Sequence, residues 1–361
     1  MLRLLLSLSC LAILGYAAYR WLPAWPAAAS ASTAAHTQLP AEPAASAPDS
    51  SAKAQEISAT KLAPTKTVHH SPEQPVGRPI VNTLELQMAL ARPGFSPGSI
   101  DGSIGTQTRQ ALSAYQLAHQ LHPSGEFDHA TQATLKITEP IYARVTLTAS
   151  DFAAIDPPPV SWRERGNRTR MAYHSILEML AETCMSDPDL IQQLNPELDF
   201  NSLQPGQVVV VPHMPPVRLH HPVSHLQISL SARTLQAISP HGRIVFHCPV
   251  SIARRVDKRP SGALRVEVRV ENPNYTFNPA ILSSAAAREG ISQKFVIQPG
   301  PNNPVGSIWI GLNLPSYGIH GTPEPEKVGR TESSGCFRLA NWNAQTLIGL
   351  VEVGTTVHVD P

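Results

Sequence analysis

The prolines are the feature that most restricts what this chain can fold into. The sequence has 35 prolines in 361 residues, many in the first third and between hydrophobic segments. Because proline fixes its own φ and has no N–H to donate, it ends helices and is excluded from central strands. The chain is also long for one domain. The sequence therefore predicts two or three small domains joined by extended linkers.

Charge and residue spacing exclude several classes of function. Lys and Arg number 28 against 27 Asp and Glu, and no basic block suggests a nucleic-acid partner. The residue types that bind zinc lack zinc-ligand spacing, so no metal site is predicted; these residues are Cys184, Cys248, Cys336, His220, His221 and His225.

A Cys184–Cys248 disulfide requires an oxidising compartment, and two unpaired buried thiols are the favoured alternative.

The amino terminus predicts export. Residues 1–22 carry Arg3 and then a long apolar run, and Cys10 lies inside that run. They fit either a cleaved secretory signal or an uncleaved anchor at residues 2–22, whose length approaches the ~20 residues of a membrane span. Residues 23–79 are rich in Ala, Pro and Ser without hydrophobic periodicity, which predicts a disordered tether. Both interpretations place the remaining chain in the periplasm or cell envelope, with membrane contact only through this segment.

Residues 80–138 predict a small helical domain. Leu84, Met88 and Leu90 share one helix face, and a loop rich in glycine and proline follows. The segment Ser96-Pro97-Gly98-x-Ile100-Asp101-Gly102 resembles the loop of a small helical peptidoglycan-binding domain. A helical spacer without a ligand is the alternative.

Residues 168–213 predict two helices, an Asn195-Pro196 pair and the strand 208–212. This order resembles a LysM-like wall-binding α/β module, although the usual first strand is not evident. A structural linker domain is the alternative.

Residues 224–360 predict a mainly-β domain. Leu226 to Leu230 alternate in hydrophobicity, and the Ser239–Gly242 stretch predicts a hairpin turn between two further strands. The clearest helix is predicted over residues 342–350.

Two segments near the carboxyl end contain the residue types of a thiol enzyme. His320 lies in Tyr317-Gly-Ile-His-Gly-Thr322, and Cys336 lies in Ser333-Ser-Gly-Cys-Phe-Arg-Leu339. A thiol attacks as thiolate, which a nearby base such as His320 or a cation such as Arg338 promotes. On spacing alone, a buried thiol and an unrelated imidazole explain the pattern equally well.

Together the two segments resemble the YkuD-type L,D-transpeptidases, in which His-Gly-Thr precedes Ser-His-Gly-Cys-x-Arg. The similarity extends over about residues 226–359 and includes the phrases at 271–279 and 299–306. The resemblance implies Cys336 as nucleophile, His320 as general base, Gly321 as the carbonyl that orients the imidazole and Gly335 as an oxyanion amide. It implies substrate-binding roles for Arg338, Ser333, Ser334 and Tyr317, and no cofactor. Ser334 stands where the family usually has His, and we expect Ser334→His not to reduce turnover.

The resemblance also implies a reaction in cell-wall biogenesis and cell shape. Cys336 would form a thioester with a donor stem tetrapeptide, and an amine of another stem peptide or of a protein would resolve it. The implied partners are stem peptides and glycan. Two alternatives remain: an L,D-carboxypeptidase, in which water is the acceptor, and a non-catalytic wall-binding protein.

Overall fold

The computed structural model describes residues 77–333 and 335–361. The predicted leader at 1–22, the predicted tether up to residue 76, Cys10 and Ser334 lie outside the described residues. The helices are α1 Thr83–Ala91, α2 Thr106–Ala118, α3 His129–Thr134, α4 Ala149–Ala153, α5 Trp162–Asn167, α6 Ile176–Thr183, α7 Pro188–Leu194, α8 Ser283–Glu289 and α9 Asn341–Ile348. The strands are β1 Tyr142–Thr146, β2 Val208–Pro212, β3 His225–Ser229, β4 Thr234–Ile238, β5 Ile244–Pro249, β6 Gly262–Glu271, β7 Tyr275–Phe277, β8 Phe295–Ile297, β9 Ile308–Leu312, β10 Gly318–His320, β11 Phe337–Arg338 and β12 Thr356–Asp360.

Helices α1, α2 and α3 form the amino-terminal unit. Helix α1 begins after Asn82, whose side chain accepts the Glu85 amide, and α3 begins after Asp128, which caps it in the same way. The loop between α1 and α2 is held by Gln87, a buried side chain that donates to Asp101 and accepts from the Gly102 amide. The predicted helical character of residues 80–138 is therefore present.

A central unit follows, in which β1 and β2 pair antiparallel over five residues. Helices α6 and α7 pack on this pair through a core that includes Leu180, Ile191 and Val209. The first strand, which was not evident in the sequence, lies at residues 142–146, ahead of the predicted start at 168. It was missed because 21 residues, including α4 and α5, separate its end from that start, and because only alternate side chains are partly buried.

The carboxyl-terminal unit is built on an eight-stranded sheet in the order β11-β10-β9-β6-β12-β3-β4-β5. The predicted hairpin is present as β4 and β5, with the bends at Ser239–Gly242. Helix α9 packs on the sheet through Ala344 and Leu347, which join its core. The fold is mainly β, as the sequence predicted.

A small cap interrupts this sheet between β6 and β9. Strands β7 and β8 pair antiparallel, and α8 lies between them. Phe277 of β7 stacks on Phe295 of β8 at 4.9 Å between ring centroids, and Trp162 of α5 lies 5.0 Å from Phe277. The central unit therefore packs against the cap of the carboxyl-terminal unit.

Two further features of the described residues concern the cysteines and the length of the helices. Cys184 and Cys248 are both buried and free, as the favoured alternative predicted. Residues 77–333 and 335–361 contain no helix with the length and apolarity needed to cross a membrane.

Candidate active site

Two adjacent parallel strands place the predicted nucleophile and base on one face of the sheet. His320 ends β10, Cys336 immediately precedes β11, and the register pairs Ile319 with Phe337. Ile319 and Phe337 point into the hydrophobic core. Because side chains alternate along a strand, Cys336 and His320 lie on the opposite face. Strand pairing thus brings together two residues that are sixteen positions apart in the chain.

The imidazole of His320 is held in one tautomer. Its Nδ1 lies 2.6 Å from the Gly321 carbonyl oxygen, and because a carbonyl only accepts, Nδ1 carries the proton. Nε2 therefore keeps its lone pair. Burial lowers the pKa of His320 to about 4, so the ring is neutral near pH 7. The ring stacks on Trp309 at 5.7 Å between centroids, which restricts its orientation.

The thiol of Cys336 is also neutral at rest. Burial raises its pKa, and this effect exceeds the opposing effects of the Gly318 amide and the Arg338 charge. The thiol donates to the Ser316 carbonyl at 3.4 Å. The arrangement is therefore a neutral thiol on the same face of the sheet as a neutral base, and attack on a carbonyl requires the proton to leave as the C–S bond forms.

Ser333 shapes the backbone around the nucleophile. Its hydroxyl donates to the Cys336 carbonyl at 2.6 Å and accepts the Gly335 amide at 3.2 Å. The side chain is buried. The structure therefore shows Ser333 in contact with the nucleophile segment itself, and it shows the Gly335 amide already engaged by this hydroxyl.

Arg338 and two tyrosines complete the surroundings of the thiol. The Arg338 charge lowers the pKa of Cys336, of His320 and of the Tyr275 phenol, so the guanidinium lies near all three. Tyr317 donates to the Lys258 carbonyl at 3.1 Å, and its ring lies beside Gly335. The predicted residues Tyr317 and Arg338 are thus both close to Cys336.

Sequence reasoning gave no role to Tyr275. This residue begins β7 in the cap, and its phenol is close enough to Cys336 and Arg338 for both charges to affect its pKa, which burial raises. Its position within residues 271–279 could have indicated a role, because that segment resembles the family, but the segment served only to support the resemblance.

Basic side chains surround the segment just ahead of the nucleophile. Glu332 lies 3.2 Å from Arg254, 3.6 Å from Arg233 and 3.9 Å from Arg259. One carboxylate therefore meets three guanidinium groups, and this side of the site carries positive charge. Within the described ranges, no group of three or more His, Cys, Asp or Glu side chains is arranged to hold a metal ion.

The comparison with known families decides what this arrangement is. Residues 224–359 match the family YkuD, described as “L,D-transpeptidase catalytic domain”. This part of the chain is an L,D-transpeptidase catalytic domain. Residues 81–135 match a second family, described as “Putative peptidoglycan binding domain”. An L,D-transpeptidase domain beside a peptidoglycan-binding domain indicates a cell-envelope enzyme whose partner is peptidoglycan.

Curated relatives agree with the L,D-transpeptidase assignment. The chain is 26% identical over 186 residues to “Putative L,D-transpeptidase YkuD” of Bacillus licheniformis, covering 51% of this chain and 93% of the relative. It is 27% identical over 169 residues to the protein of the same name in Bacillus subtilis, covering 46% of this chain and 83% of the relative. A crystal structure of an Enterococcus faecium L,D-transpeptidase C442S mutant aligns at 16% identity and a TM-score of 0.29, covering 39% of this chain and 50% of that chain.

Proposed function

We propose that Cys336 carries an acyl group from one peptidoglycan stem peptide to an acceptor amine, with His320 as the base. One observation carries the proposal. The parallel β10–β11 pair puts both side chains on one face of the sheet, and the Gly321 carbonyl holds the proton on Nδ1 of His320, so that the neutral ring has its lone pair on Nε2.

The first half-reaction forms a thioester. Sγ of Cys336 attacks the carbonyl between the L-centre and the terminal D-residue of a donor tetrapeptide, while Nε2 of His320 takes the thiol proton. The C–N bond then breaks, the imidazolium gives its proton to the departing amine, and D-alanine leaves. The low pKa of His320 makes its conjugate acid a strong proton donor to the leaving group.

The oxyanion of this step needs backbone donors. The amides of Gly335 and Cys336 are the candidates, as the family resemblance implies. The Gly335 amide must exchange the Ser333 hydroxyl for the substrate oxygen. Because that hydrogen bond is 3.2 Å long, the exchange gives up a weak interaction for a charge-assisted one.

The second half-reaction returns the thiol. An acceptor amine attacks the thioester carbonyl and gives a proton to Nε2, and the imidazolium then protonates the departing Cys336 sulfur. An amine of a second stem peptide gives a cross-link, and an amine of a protein gives an attached protein. Water in the same place gives the carboxypeptidase reaction.

Arg338, Tyr275 and Tyr317 are proposed to hold the donor peptide. Arg338 is half-buried beside the thiol, where a guanidinium binds a peptide carboxylate in a bidentate manner. Tyr275 comes from the cap and lies near Cys336, and the ring of Tyr317 lies beside Gly335. Ser334 belongs to this proposed group by its sequence position alone.

The other parts of the chain are proposed to deliver the enzyme to its substrate. The amino-terminal helical unit would bind wall glycan. The central unit is proposed to be a LysM-like module with two additional helices, α4 and α5, an idea supported by the antiparallel pairing of β1 with β2 and by α6 and α7, which precede β2. Residues 2–22 would anchor the chain to the inner membrane unless they are cleaved, and residues 23–79 would give the domains their reach.

The test is incubation of the full-length protein with purified disaccharide-tetrapeptides, followed by mass spectrometry. Cross-linked dimers with loss of D-alanine support transpeptidation, and tripeptide monomers alone support the carboxypeptidase. Cys336→Ala should abolish both products. A protein that forms neither product, and no covalent carbapenem adduct on Cys336, would be a wall-binding protein without catalysis. The buried Cys248 thiol serves as the internal control, since it should remain unmodified in the same digest.

A further inference from the structure

Asn341, the first residue of α9, is fixed on three sides in a fully buried position. Its Oδ1 accepts the Ser307 amide at 3.1 Å. Its Nδ2 donates to the Pro301 carbonyl at 3.2 Å and to Oε1 of Glu182 at 2.9 Å. Because both Nδ2 protons and the oxygen are used, the carboxamide has one orientation.

The Asn341 carboxamide lies against the backbone that orients the catalytic imidazole. A Cβ built on Gly321 would overlap Asn341 Oδ1, and so would one built on Gly306. Gly321 also provides the carbonyl that accepts from His320 Nδ1. A rotation or shift of the carboxamide would therefore move the peptide on which the tautomer of His320 depends.

Glu182, the partner of this carboxamide, comes from outside the catalytic domain. It lies on α6 of the central unit and is 8% exposed. Burial raises the pKa of its carboxyl to about 7; the charge of Glu178 adds to the rise, while hydrogen bonds from Asn341 and Tyr173 oppose it. A buried ionisable side chain is unfavourable for stability, so a helix that only packed here would be better served by an apolar residue.

We infer that Glu182 is a positioning residue for His320 and that it acts through Asn341. The inference rests on the proposed role of His320 as base. It assigns the central unit a part in the reaction in addition to any wall binding. The groups that face Glu182 are Tyr173 and Glu178 from its own unit and the uncharged Asn341 from α9. An ionised carboxylate accepts a stronger hydrogen bond from Asn341 Nδ2 than a protonated one does, so the Glu182–Asn341 contact strengthens once Glu182 has lost its proton.

The neighbouring carboxylate on the same helix provides a matched control. Glu178 accepts from Asn302 Nδ2 at 2.6 Å and so also joins α6 to the catalytic domain. It makes no direct hydrogen bond to Asn341, whose Nδ2 partners are Glu182 and Pro301. Glu178→Leu therefore weakens the same interface but keeps the hydrogen bond between Glu182 and Asn341, the residue that packs against Gly321.

The experiment measures the second-order rate of Cys336 acylation by a carbapenem in the full-length protein, from about pH 5.5 to about pH 8.5. Glu182→Leu should slow acylation about tenfold, because a small misplacement of a catalytic group has effects of this size or larger. Glu178→Leu should stay near the wild-type rate. The ratio of the wild-type rate to the Glu182→Gln rate should change across neutral pH, because only the wild type has a proton to lose at this position.

A second readout does not depend on turnover. The ¹⁵N shifts of the His320 imidazole should report protonated Nδ1 in the wild type and in Glu178→Leu, and a mixture of tautomers in Glu182→Leu. If Glu182→Leu keeps the wild-type rate and shifts, or if Glu178→Leu reproduces its effects, the inference is wrong. If Glu182→Leu does not fold, a pH-independent ratio for Glu182→Gln overturns it. A wild type that never acylates, but whose His320 shifts still respond to Glu182→Leu, defeats the proposed function and leaves this inference standing.

Discussion

At the scale of single residues, the thiol of Cys336 and the imidazole of His320 are both uncharged near pH 7. Burial opposes each charge: it raises the pKa of the thiol and lowers that of the imidazole to about 4. A resting thiolate–imidazolium pair is therefore unfavourable here. The chemistry must generate the charge only as the sulfur attacks, in the presence of a substrate that excludes water.

The pH dependence of acylation follows from these two pKa shifts. The wild-type rate should change little between about pH 6 and about pH 8, because the neutral thiol of Cys336 and the unprotonated ring of His320 both predominate throughout this range. His320 remains unprotonated throughout, because its pKa lies far below this range. The measurement is the carbapenem acylation rate against pH. A rate that rises about tenfold per pH unit across this range, in step with the thiolate fraction, would show instead attack by a free thiolate without His320 as base.

Gly321 tests the backbone that orients the base. Gly321→Ala should place a methyl group on Asn341 Oδ1, displace the carbonyl that holds His320 Nδ1 and reduce acylation. Overpacking of this kind lowers the free energy of unfolding by about 1–3 kcal/mol. Denaturant unfolding and acylation rates measure the two effects. Gly349→Ala is the control, because its Cβ has only an ordinary contact with the Thr346 carbonyl; equal losses in both variants would contradict the explanation.

At the scale of elements, helix α6 carries a buried carboxyl group, that of Glu182. Its amphipathic face packs Ile176, Leu180 and Ala181 into the central core, yet Glu182 follows them into a buried site. Because the folded pKa of Glu182 is raised above its usual value, the protonated form is the one that folding favours. The folded protein therefore loses stability when the pH rises and Glu182 ionises, although the ionised carboxylate binds Asn341 more strongly.

The sign of this effect gives a stability prediction. The contribution of Glu182 is fully present below its unfolded pKa of about 4.5 and is lost as the pH rises to about 7. Across this window the wild type should lose about 3 kcal/mol of unfolding free energy relative to Glu182→Gln. Urea denaturation of both proteins at several pH values measures the difference. A difference that stays constant with pH would show that Glu182 titrates normally in the fold.

At the scale of the whole molecule, the helical unit and the catalytic sheet share a core. The cluster around α1 and α2 also contains Ala340 and Trp342 from the catalytic part. The chain at Phe95 forms a parallel bridge to His247 of β5, where the Ser96 amide donates to the His247 carbonyl at 2.8 Å. These two units are therefore expected to unfold together.

Phe95→Ala tests this joint unfolding. The ring is 4% exposed and stands edge-on to Tyr115 at 5.4 Å between centroids, so its loss should lower the free energy of unfolding by about 3–5 kcal/mol. Calorimetry should show one transition at a lower temperature. Ile104→Ala in the same loop, at 48% exposure, should change little. Two separated transitions in the wild type would refute the shared core.

Much of the local structure could be predicted from the sequence. The last helix was expected at residues 342–350 and is found at Asn341–Ile348, and the β4–β5 hairpin turns within Ser239–Gly242, as expected. These elements are encoded by residues close together in the chain, through hydrophobic periodicity and turn residues. The candidate nucleophile and base were also identified from sequence, because each lies in a short segment that resembles a family motif.

Only the tertiary structure decided which distant residues meet. Strand β1 pairs with β2 more than sixty residues later, Tyr275 reaches Cys336 by way of the cap, and Glu182 contacts Asn341 from another unit. Such contacts depend on the packing of whole elements, and no local pattern specifies a partner so far along the chain. The sequence by itself thus identified the peptidoglycan-binding and catalytic segments and the candidate reactive pair, while packing across the units decided which residues surround that pair.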